Sequence, residues 1–308
     1  MMRTGIVVIA GPTGIGKTGF AVRTATRFDG EIVGADSMQI YRYMDIGTAK
    51  PDKEEQALAR HHLIDVADPD EPFDAAAYIR EADRAIRDIT ARGKTPIVAG
   101  GTGLYIRALV HGLYGGRRPD PAVMEELEAK LAARGPEWLH GKLAQIDPDR
   151  AAAIHPNDTF RVKRALEVFE STGRIKSDFL KSHDFADQRY ACMKIGLFMD
   201  RNLLYERINT RVDEMIAAGL TNEVKSLLEM GYSGDLKSMQ SIGYRHINEY
   251  LQGKTDFEEA VRTLKRDTRR FAKRQFTWFS KEKDMIWLDP GDKERAYQKI
   301  DAFLGGKF

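Results

Sequence analysis

Short apolar runs alternate with helical patterns over the first hundred residues. Ile6 to Ala10, Glu31 to Ala35 and Thr95 to Ala99 read as strands; one helical pattern opens near Lys17 and another runs from about Ala75 to Arg92. Brief, nearly uninterrupted apolar runs suit strands covered on both faces, and their alternation with helices predicts a parallel α/β sheet. Ile195 to Met199 reads as a further strand and is followed at once by a helical pattern from Arg201 to Ala218. The sheet therefore resumes after a break.

The break, roughly Leu113 to Arg189, is poor in strand signals and rich in charged helical pattern at Val123 to Arg134, Pro136 to Gln145 and Asp158 to Ser171. Its opening segment, Gly115-Gly116-Arg117-Arg118-Pro119, has the composition of a boundary. The expectation is a helical insertion over 113–189 in a core made of 1–112 and 190–308. After Leu220 the pattern is mostly helical, with one short strand expected at Met285 to Leu288.

A length of 308 residues allows one large domain or two, and 42% hydrophobic with 31% charged residues is an ordinary globular balance. The single cysteine, Cys192, excludes an internal disulfide framework and a cysteine-built zinc site, which fits a reducing cytoplasm. No run is long and apolar enough for a membrane span, so no membrane role is expected. A formal net charge of +2 argues against a wholly basic coat protein, although a local basic surface remains compatible with it.

Gly11-Pro12-Thr13-Gly14-Ile15-Gly16-Lys17-Thr18 matches G-x-x-x-x-G-K-[ST] between a strand and a helix, as a phosphate-cradling loop requires. The glycines let backbone N–H groups wrap phosphate oxygens, Lys17 neutralises them, and the Thr18 hydroxyl meets phosphate or a Mg²⁺ bridging to it. The motif predicts a P-loop NTPase-like core without naming the reaction. Asp36 follows the second strand, at the edge where ligands collect in open α/β sheets, and is a candidate base or metal partner; the alternative is a turn or N-cap residue. Gly100-Gly101-Thr102-Gly103 stands where a nucleotide hydrolase would be expected to carry its Walker-B aspartate, which weakens that reading. Arg201, Arg207 and Arg211 lie on a helix from which one of them could reach the phosphates. The seven histidines show no metal-binding spacing.

From Arg262 to Lys283 there are nine lysines and arginines against two acids. Arg262, Arg266, Arg269 and Lys273 recur along one helical face, which suits a phosphate backbone. Phe271, Phe276, Trp278 and Phe279 interleave with them, either as stacking platforms or as core.

Several long segments together resemble the tRNA dimethylallyltransferase family, across nearly the whole chain. They are Gly11 to Thr18, ADSMQIYRYMDIGTAKP from Ala35, HHLIDVADP from His61, GGTGLY from Gly100, HPND and RVKRALEV from His155 to Val168, QSIGYR from Gln240 and AKRQFTWF from Ala272. The resemblance implies transfer of a dimethylallyl group from dimethylallyl diphosphate to the exocyclic amine of the adenosine 3′ of the tRNA anticodon. It implies Asp36 as general base, with Thr18 and Arg211 also catalytic. Gly11, Thr13, Gly14, Gly16, Lys17, Thr18 and Arg211 would hold the diphosphate, with Mg²⁺ on Thr18. Asp36, Ser37, Met38, Gln39 and Thr102 would contact a flipped adenosine or its neighbours. Phe160, Arg161 and Arg164, then Gln240, Gly243, Tyr244 and Arg245, then Lys273, Arg274, Gln275 and Trp278 would contact the anticodon stem-loop, the insertion gripping the stem. No obligate protein partner is implied.

Gly14-Ile15 departs from the family's usual Ala-Ser, and Ser280 replaces a residue often basic there. The absence of a zinc-finger extension suggests a bacterial-type enzyme. Competing readings are a small-molecule P-loop kinase, a relative that prenylates free adenine nucleotides, and an ATP-gated RNA-binding module. The Asp36 segment and the basic stretch after Arg262 count against the kinase, and the helical insertion and that stretch against the free-nucleotide enzyme; the RNA-binding module would bind RNA without consuming a prenyl donor.

Overall fold

A computed structural model describes residues 3–113, 119–178, 188–282 and 284–306. Six strands form one parallel sheet: β1 (Gly5–Ala10), β2 (Gly30–Gly34), β3 (His61–His62), β4 (Thr95–Gly100), β5 (Ala191–Leu197) and β6 (Met285–Leu288), in the spatial order β3-β2-β4-β1-β5-β6. Ile6 to Ala10 of β1 are wholly buried, as an apolar run with helices on both sheet faces must be. Because strand side chains alternate, Ile6 and Val8 pack on one face with Tyr78, Ile86, Ile89 and Leu109. Val7 and Ile9 pack on the other with Phe20, Ile195, Ile208 and Ile300.

The helices around this sheet are α1 (Lys17–Arg27), α2 (Lys53–Leu58), α3 (Ala75–Ala91) and α4 (Gly103–His111) from the first half of the chain. After the insertion come α8 (Arg201–Ala217), α9 (Leu220–Glu229), α10 (Tyr244–Leu251), α11 (Phe257–Phe279) and α12 (Lys293–Gly305). A separate apolar cluster of Ile40, Met44, Val212, Leu220, Val224, Tyr244, Ile247 and Leu264 joins α8 to α11 with the loop after β2. The architecture is α/β and P-loop-like. No helix among the described residues is long and apolar enough to cross a membrane.

Register fixes the working edge. Ala10 of β1 lies level with Gly100 of β4, and Gly34 of β2 with Ala99, so three chain exits open side by side. Those exits are the loop at Gly11, the segment at Asp36 and the turn at Gly101. Two details differ from the sequence reading. β5 starts at Ala191 because it pairs with β1 from Gly5 onward, the buried Lys194 inside it being offset by Glu282 at 3.4 Å. The two-residue β3 and the short α2 carry too little periodicity to read from pattern.

The chain divides into two compact units, residues 1–110 with 188–308, and residues 111–187. The second consists of α5 (Pro121–Ile146), α6 (Pro148–Ala152) and α7 (Thr159–Thr172) around Leu127, Leu139, Leu143, Ile154, Val162 and Leu166. The two helical patterns read at 123–134 and 136–145 are two helical segments within α5, separated at Gly135, whose φ of 80° and following Pro136 break the regular turn. Gly115 to Arg118 of the expected boundary lie outside the described residues. Leu143 is fully buried. Leu143→Ala should therefore cost about 2–5 kcal/mol, read as a lowered urea midpoint for this unit; a loss well under that range would mean the three helices do not share one packed core.

Candidate active site

The loop from Gly11 to Thr18 leaves β1 and enters α1. Gly14 and Gly16 take left-handed conformations at φ 80° and 94°, which residues with a Cβ rarely adopt. A Cβ on Gly14 would also stand 2.8 Å from Ile208 Cγ1 of α8, while Ile15 is wholly buried in the core. The Gly-Ile pair thus lets α8 pack directly on the loop, which accounts for its departure from Ala-Ser.

Lys17 opens α1, and its ammonium donates to the Pro12 carbonyl at 2.8 Å, curling back over the loop. Enclosure pushes its pKa down to about 8; Asp36 opposes that shift and the Arg211 charge adds to it. Arg211, from α8, is itself pushed downward by enclosure, with Glu55, Glu214 and Asp36 pulling the other way. Neither cation forms an ion pair with a described carboxylate. Both line a cavity of about 540 Å³ together with Gly14, Gly16, Thr18 and Asp36. Two enclosed cations without a counter-ion at a helix N-terminus make an anion site. Arg207 Nη2 comes close to Gly16, 3.4 Å from where a Cβ would be, and Arg201 lies over the Tyr205 ring instead of the loop.

The opposite wall comes from the exits of β2 and β4. Asp36 Oδ1 accepts the Met38 N–H at 2.9 Å and the Gln39 N–H at 3.4 Å, so one oxygen caps a turn, while no described residue hydrogen-bonds Oδ2. The turn use of Asp36 is thus present and fixes the carboxylate, leaving Oδ2 without a described partner. Thr102 Oγ1 accepts the Ser37 N–H at 3.0 Å and donates to the Ser37 hydroxyl at 3.3 Å. Gln39 Nε2 donates to the Thr48 and Ala49 carbonyls, tying down the loop that lines the far side. The glycine run beside Thr102 is there for protein neighbours. A Cβ at Gly100 would meet the Ala35 carbonyl oxygen at 2.1 Å, at Gly101 the Gln275 amide nitrogen at 2.3 Å, and at Gly103 the Trp278 indole nitrogen at 2.1 Å.

The C-terminal elements close the cavity. Gln240 and Gly243 line it, as do Thr268, Phe271 and Arg274 of α11. Several residues expected at an RNA surface sit inside instead. Tyr244 is wholly buried and its hydroxyl donates to Glu223 at 2.6 Å. The same Glu223 carboxylate accepts the Asp45, Ile46 and Gly47 N–H groups at 2.8–3.0 Å, an anchor for the loop after β2 that no sequence pattern marked. Trp278 is half-buried, with Arg107 stacked over it at 4.6 Å. Gln275 is buried, with both ends of its amide committed to the protein. Of the other aromatics, Phe279 is core, Phe276 is exposed beside Trp287, and Phe271 faces the cavity.

The predicted basic stripe is largely partnered. Arg262 pairs with Glu259, Arg266 with Asp267, and Arg269 donates to the Asn209 side chain. Lys273, the fourth member, is exposed and makes no ion pair with a described residue. Asp267 also meets Arg245 at 3.1 Å, His246 at 3.2 Å and Arg270 at 3.6 Å; the hydrogen bond from Arg266, and after it that from His246, holds its carboxyl down to about 2. In the helical unit, Phe160 is 67% exposed at the start of α7 and Arg161 is exposed beside Asp158, whereas Arg164 is engaged by the buried Glu167.

Residues 39–282 match the family model described as IPP transferase. The chain is 53% identical to the tRNA dimethylallyltransferase of Desulfosudis oleivorans, over 99% of this chain and 96% of that one. Against the tRNA dimethylallyltransferase of Geobacter metallireducens it is 50% identical, over 98% of each. Among solved structures, the full-length tRNA isopentenylpyrophosphate transferase of Bacillus halodurans superposes with a TM-score of 0.72 at 44% identity, covering 99% and 96%. A eukaryotic dimethylallyltransferase acting on tRNA gives 0.81 at 30% identity, covering 97% of this chain and 78% of that one.

An anion entering the cavity favours the charged form of Lys17, so its pKa in the complex must exceed the value of about 8 in the free protein. Binding of an alkyl diphosphate should then proceed without proton uptake by Lys17 near neutral pH and take up a growing fraction of a proton as pH rises through 8. Calorimetry in two buffers of different ionisation enthalpy measures this. The alkaline uptake should vanish in Lys17→Met; uptake that persists there would assign it to another group.

Proposed function

The chain belongs to the IPP transferase family, and on that footing we propose that it is a tRNA prenyltransferase. It moves a dimethylallyl group from dimethylallyl diphosphate to the N6 amine of the adenosine immediately 3′ of the anticodon and releases diphosphate. The observation that carries this reading is the cavity in which two uncompensated cations, Lys17 and Arg211, share a space with the carboxylate of Asp36. A kinase or hydrolase of this architecture would be expected to place a carboxylate at the end of the strand beside the loop, and β4 ends at Gly100 and runs into Gly101 instead.

The chemistry follows from the two walls. The N6 lone pair of adenine is delocalised into the ring, so its attack on C1 gains from loss of a proton in the transition state. Asp36 Oδ2 accepts that proton. As the C1–N6 bond forms, the C1–O bond breaks and its electron pair passes to the diphosphate oxygen. The developing charge meets Lys17, Arg211, the Thr18 hydroxyl and the loop N–H groups, a preorganised set worth far more in an enclosed site than in water. Ile208, Val212, Leu264 and Phe271 supply apolar lining for the prenyl chain and keep water from the allylic carbon.

Mg²⁺ suits this donor set. The described residues contain no cluster of three or more metal-ligating side chains, yet Mg²⁺ commonly takes one or two protein oxygens and completes its shell with substrate phosphates and water. Thr18 is the residue that would hold it beside the diphosphate, where it would supply further neutralisation of the leaving group.

For tRNA, the exposed Phe160 and Arg161 of the helical unit suit an anticodon stem-loop, and we assign that unit to gripping the stem, with Arg164 supporting α7 from within. In the core, Ser37, Met38, Gln39 and Thr102 suit the flipped adenosine, and Gln240, Gly243, Arg245, Lys273 and Arg274 its neighbours. Such a substrate places the protein in the cytoplasm.

Incubating the chain with radiolabelled dimethylallyl diphosphate and Mg²⁺ should label an anticodon stem-loop carrying adenosine 3′ of the anticodon. Label in AMP and none in RNA would overturn the tRNA assignment. Asp36→Asn should bind the stem-loop normally and lose roughly 10²–10⁴-fold in turnover, the usual worth of a positioned general base. Near-normal turnover in that variant would remove Asp36 from the role.

A further inference from the structure

Gln275 lies in the basic stretch of α11 but is only 6% exposed, on the wall of the cavity. Its carboxamide spans the two halves of the site. The Thr13 N–H, in the phosphate loop, donates to its Oε1 at 2.8 Å, and its Nε2 donates to the Gly101 carbonyl at 3.0 Å. A backbone N–H can only donate and a carbonyl can only accept, so these partners fix which end of the amide is which. Gly101 has no side chain because a Cβ there would fall 2.3 Å from Nε2. The contact reaches the nucleophile side within one residue. Thr102 N–H donates to the Ala35 carbonyl at 3.0 Å, and Thr102 Oγ1 accepts the N–H of Ser37, the residue after Asp36.

Resting on the prenyl-transfer reading above, we propose that Gln275 is a positioning residue for the transfer step. Its amide holds the loop that carries the leaving diphosphate at a fixed separation from the turn that supports Asp36 and the incoming amine. It lines the cavity, but its amide is committed to the Thr13 N–H and the Gly101 carbonyl. Its effect is on the geometry between the reactants, and a neutral amide suits the task because it adds no charge to a site that already holds two cations, Lys17 and Arg211, and one carboxylate, Asp36. One planar group must accept at one end and donate at the other. Leucine does neither, and an ionised glutamate accepts at both ends and so repels the Gly101 carbonyl.

The test is steady-state turnover of the full chain, with dimethylallyl diphosphate and stem-loop each varied, for wild type, Gln275→Leu and Gln275→Glu. Gln275→Leu should lose on the order of 10²-fold in kcat, the scale of a misplacement near 1 Å, while KM for the diphosphate and stem-loop affinity change only a few-fold. Gln275→Glu keeps the size and shape of the side chain. When protonated it regains a donor for Gly101, so its rate relative to wild type should climb as pH is lowered, while the Gln275→Leu ratio stays flat. A purely structural role would lower the melting temperature without this split or this pH trend. If Gln275→Leu fails to fold, the Gln275→Glu ratio decides alone, and a ratio independent of pH overturns the proposal. Wild-type kcat retained in Gln275→Leu overturns it too. Absence of transfer by the wild-type chain would instead overturn the reading of its function.

Discussion

Three parallel strands that end level at one edge of the sheet determine what this molecule can do. β1, β4 and β2 are bonded in a register that brings Gly11, Gly101 and Ala35 out of the sheet together. Each exit then needs a different chemistry from the same few ångströms. The first must expose backbone N–H groups, the second must let neighbours approach without a side chain, and the third must present a carboxylate. Glycines satisfy the first two because they alone tolerate the left-handed turns of the loop and the close contacts at Gly100, Gly101 and Gly103. Asp36 satisfies the third because a turn that consumes one of its oxygens orients the other.

The electrostatics of the site follow from that crowding. Lys17 and Arg211 are enclosed by the elements that bury the loop, and a neighbouring cation adds to the desolvation each suffers, Arg211 for Lys17 and Arg207 for Arg211. The folded chain is therefore holding an unfavourable arrangement that an anion relieves. Lys17 shows the sign plainly. A lysine whose pKa is lowered on folding opposes folding while it is charged, and that penalty fades as pH rises above about 8. Other buried charges in the core are compensated, as Lys194 is by Glu282 and Glu31 by Arg92 and His62. The contrast marks the cavity as the place where a partner of opposite charge belongs.

Much of this was legible in the chain because it is local. The strand-loop-helix at Gly11, the carboxylate after the second strand and the short strand at Met285 are written in contiguous residues. What escaped was set by contacts between distant segments. Glu223 anchors backbone N–H groups about 177 residues away, and Gln275 bridges loops 174 and 262 residues away; neither carries a periodic or compositional mark. The partners of the basic stripe are hidden from the sequence for the same reason. Counting cations along a helix cannot reveal that Glu259, Asp267 and Asn209 already hold three of the four. Tyr244 and Trp278, sorted with an RNA-contacting segment by their neighbours in sequence, turn inward because the loop at Gly47 and the turn at Gly103 are shaped to receive them.

α11 shows how one helix serves opposed demands by dividing its circumference. Ala272 and Phe279 enter the two sheet-face cores, Thr268, Phe271 and Arg274 reach the cavity, and Lys273 points to solvent. At 23 residues it is long enough to carry a surface suited to a polyanion at positions a turn or less from the residue that braces the phosphate loop. A cation in place of Gln275 would add a third positive charge to Lys17 and Arg211, and an anion would compete with the diphosphate. The neutral amide passes position without passing charge. The two hydrogen bonds of that amide therefore tie α11, which contributes to both sheet-face cores, to the phosphate loop and to the turn at Gly101. That tie leaves the excess positive charge of Lys17 and Arg211 over Asp36 as it is.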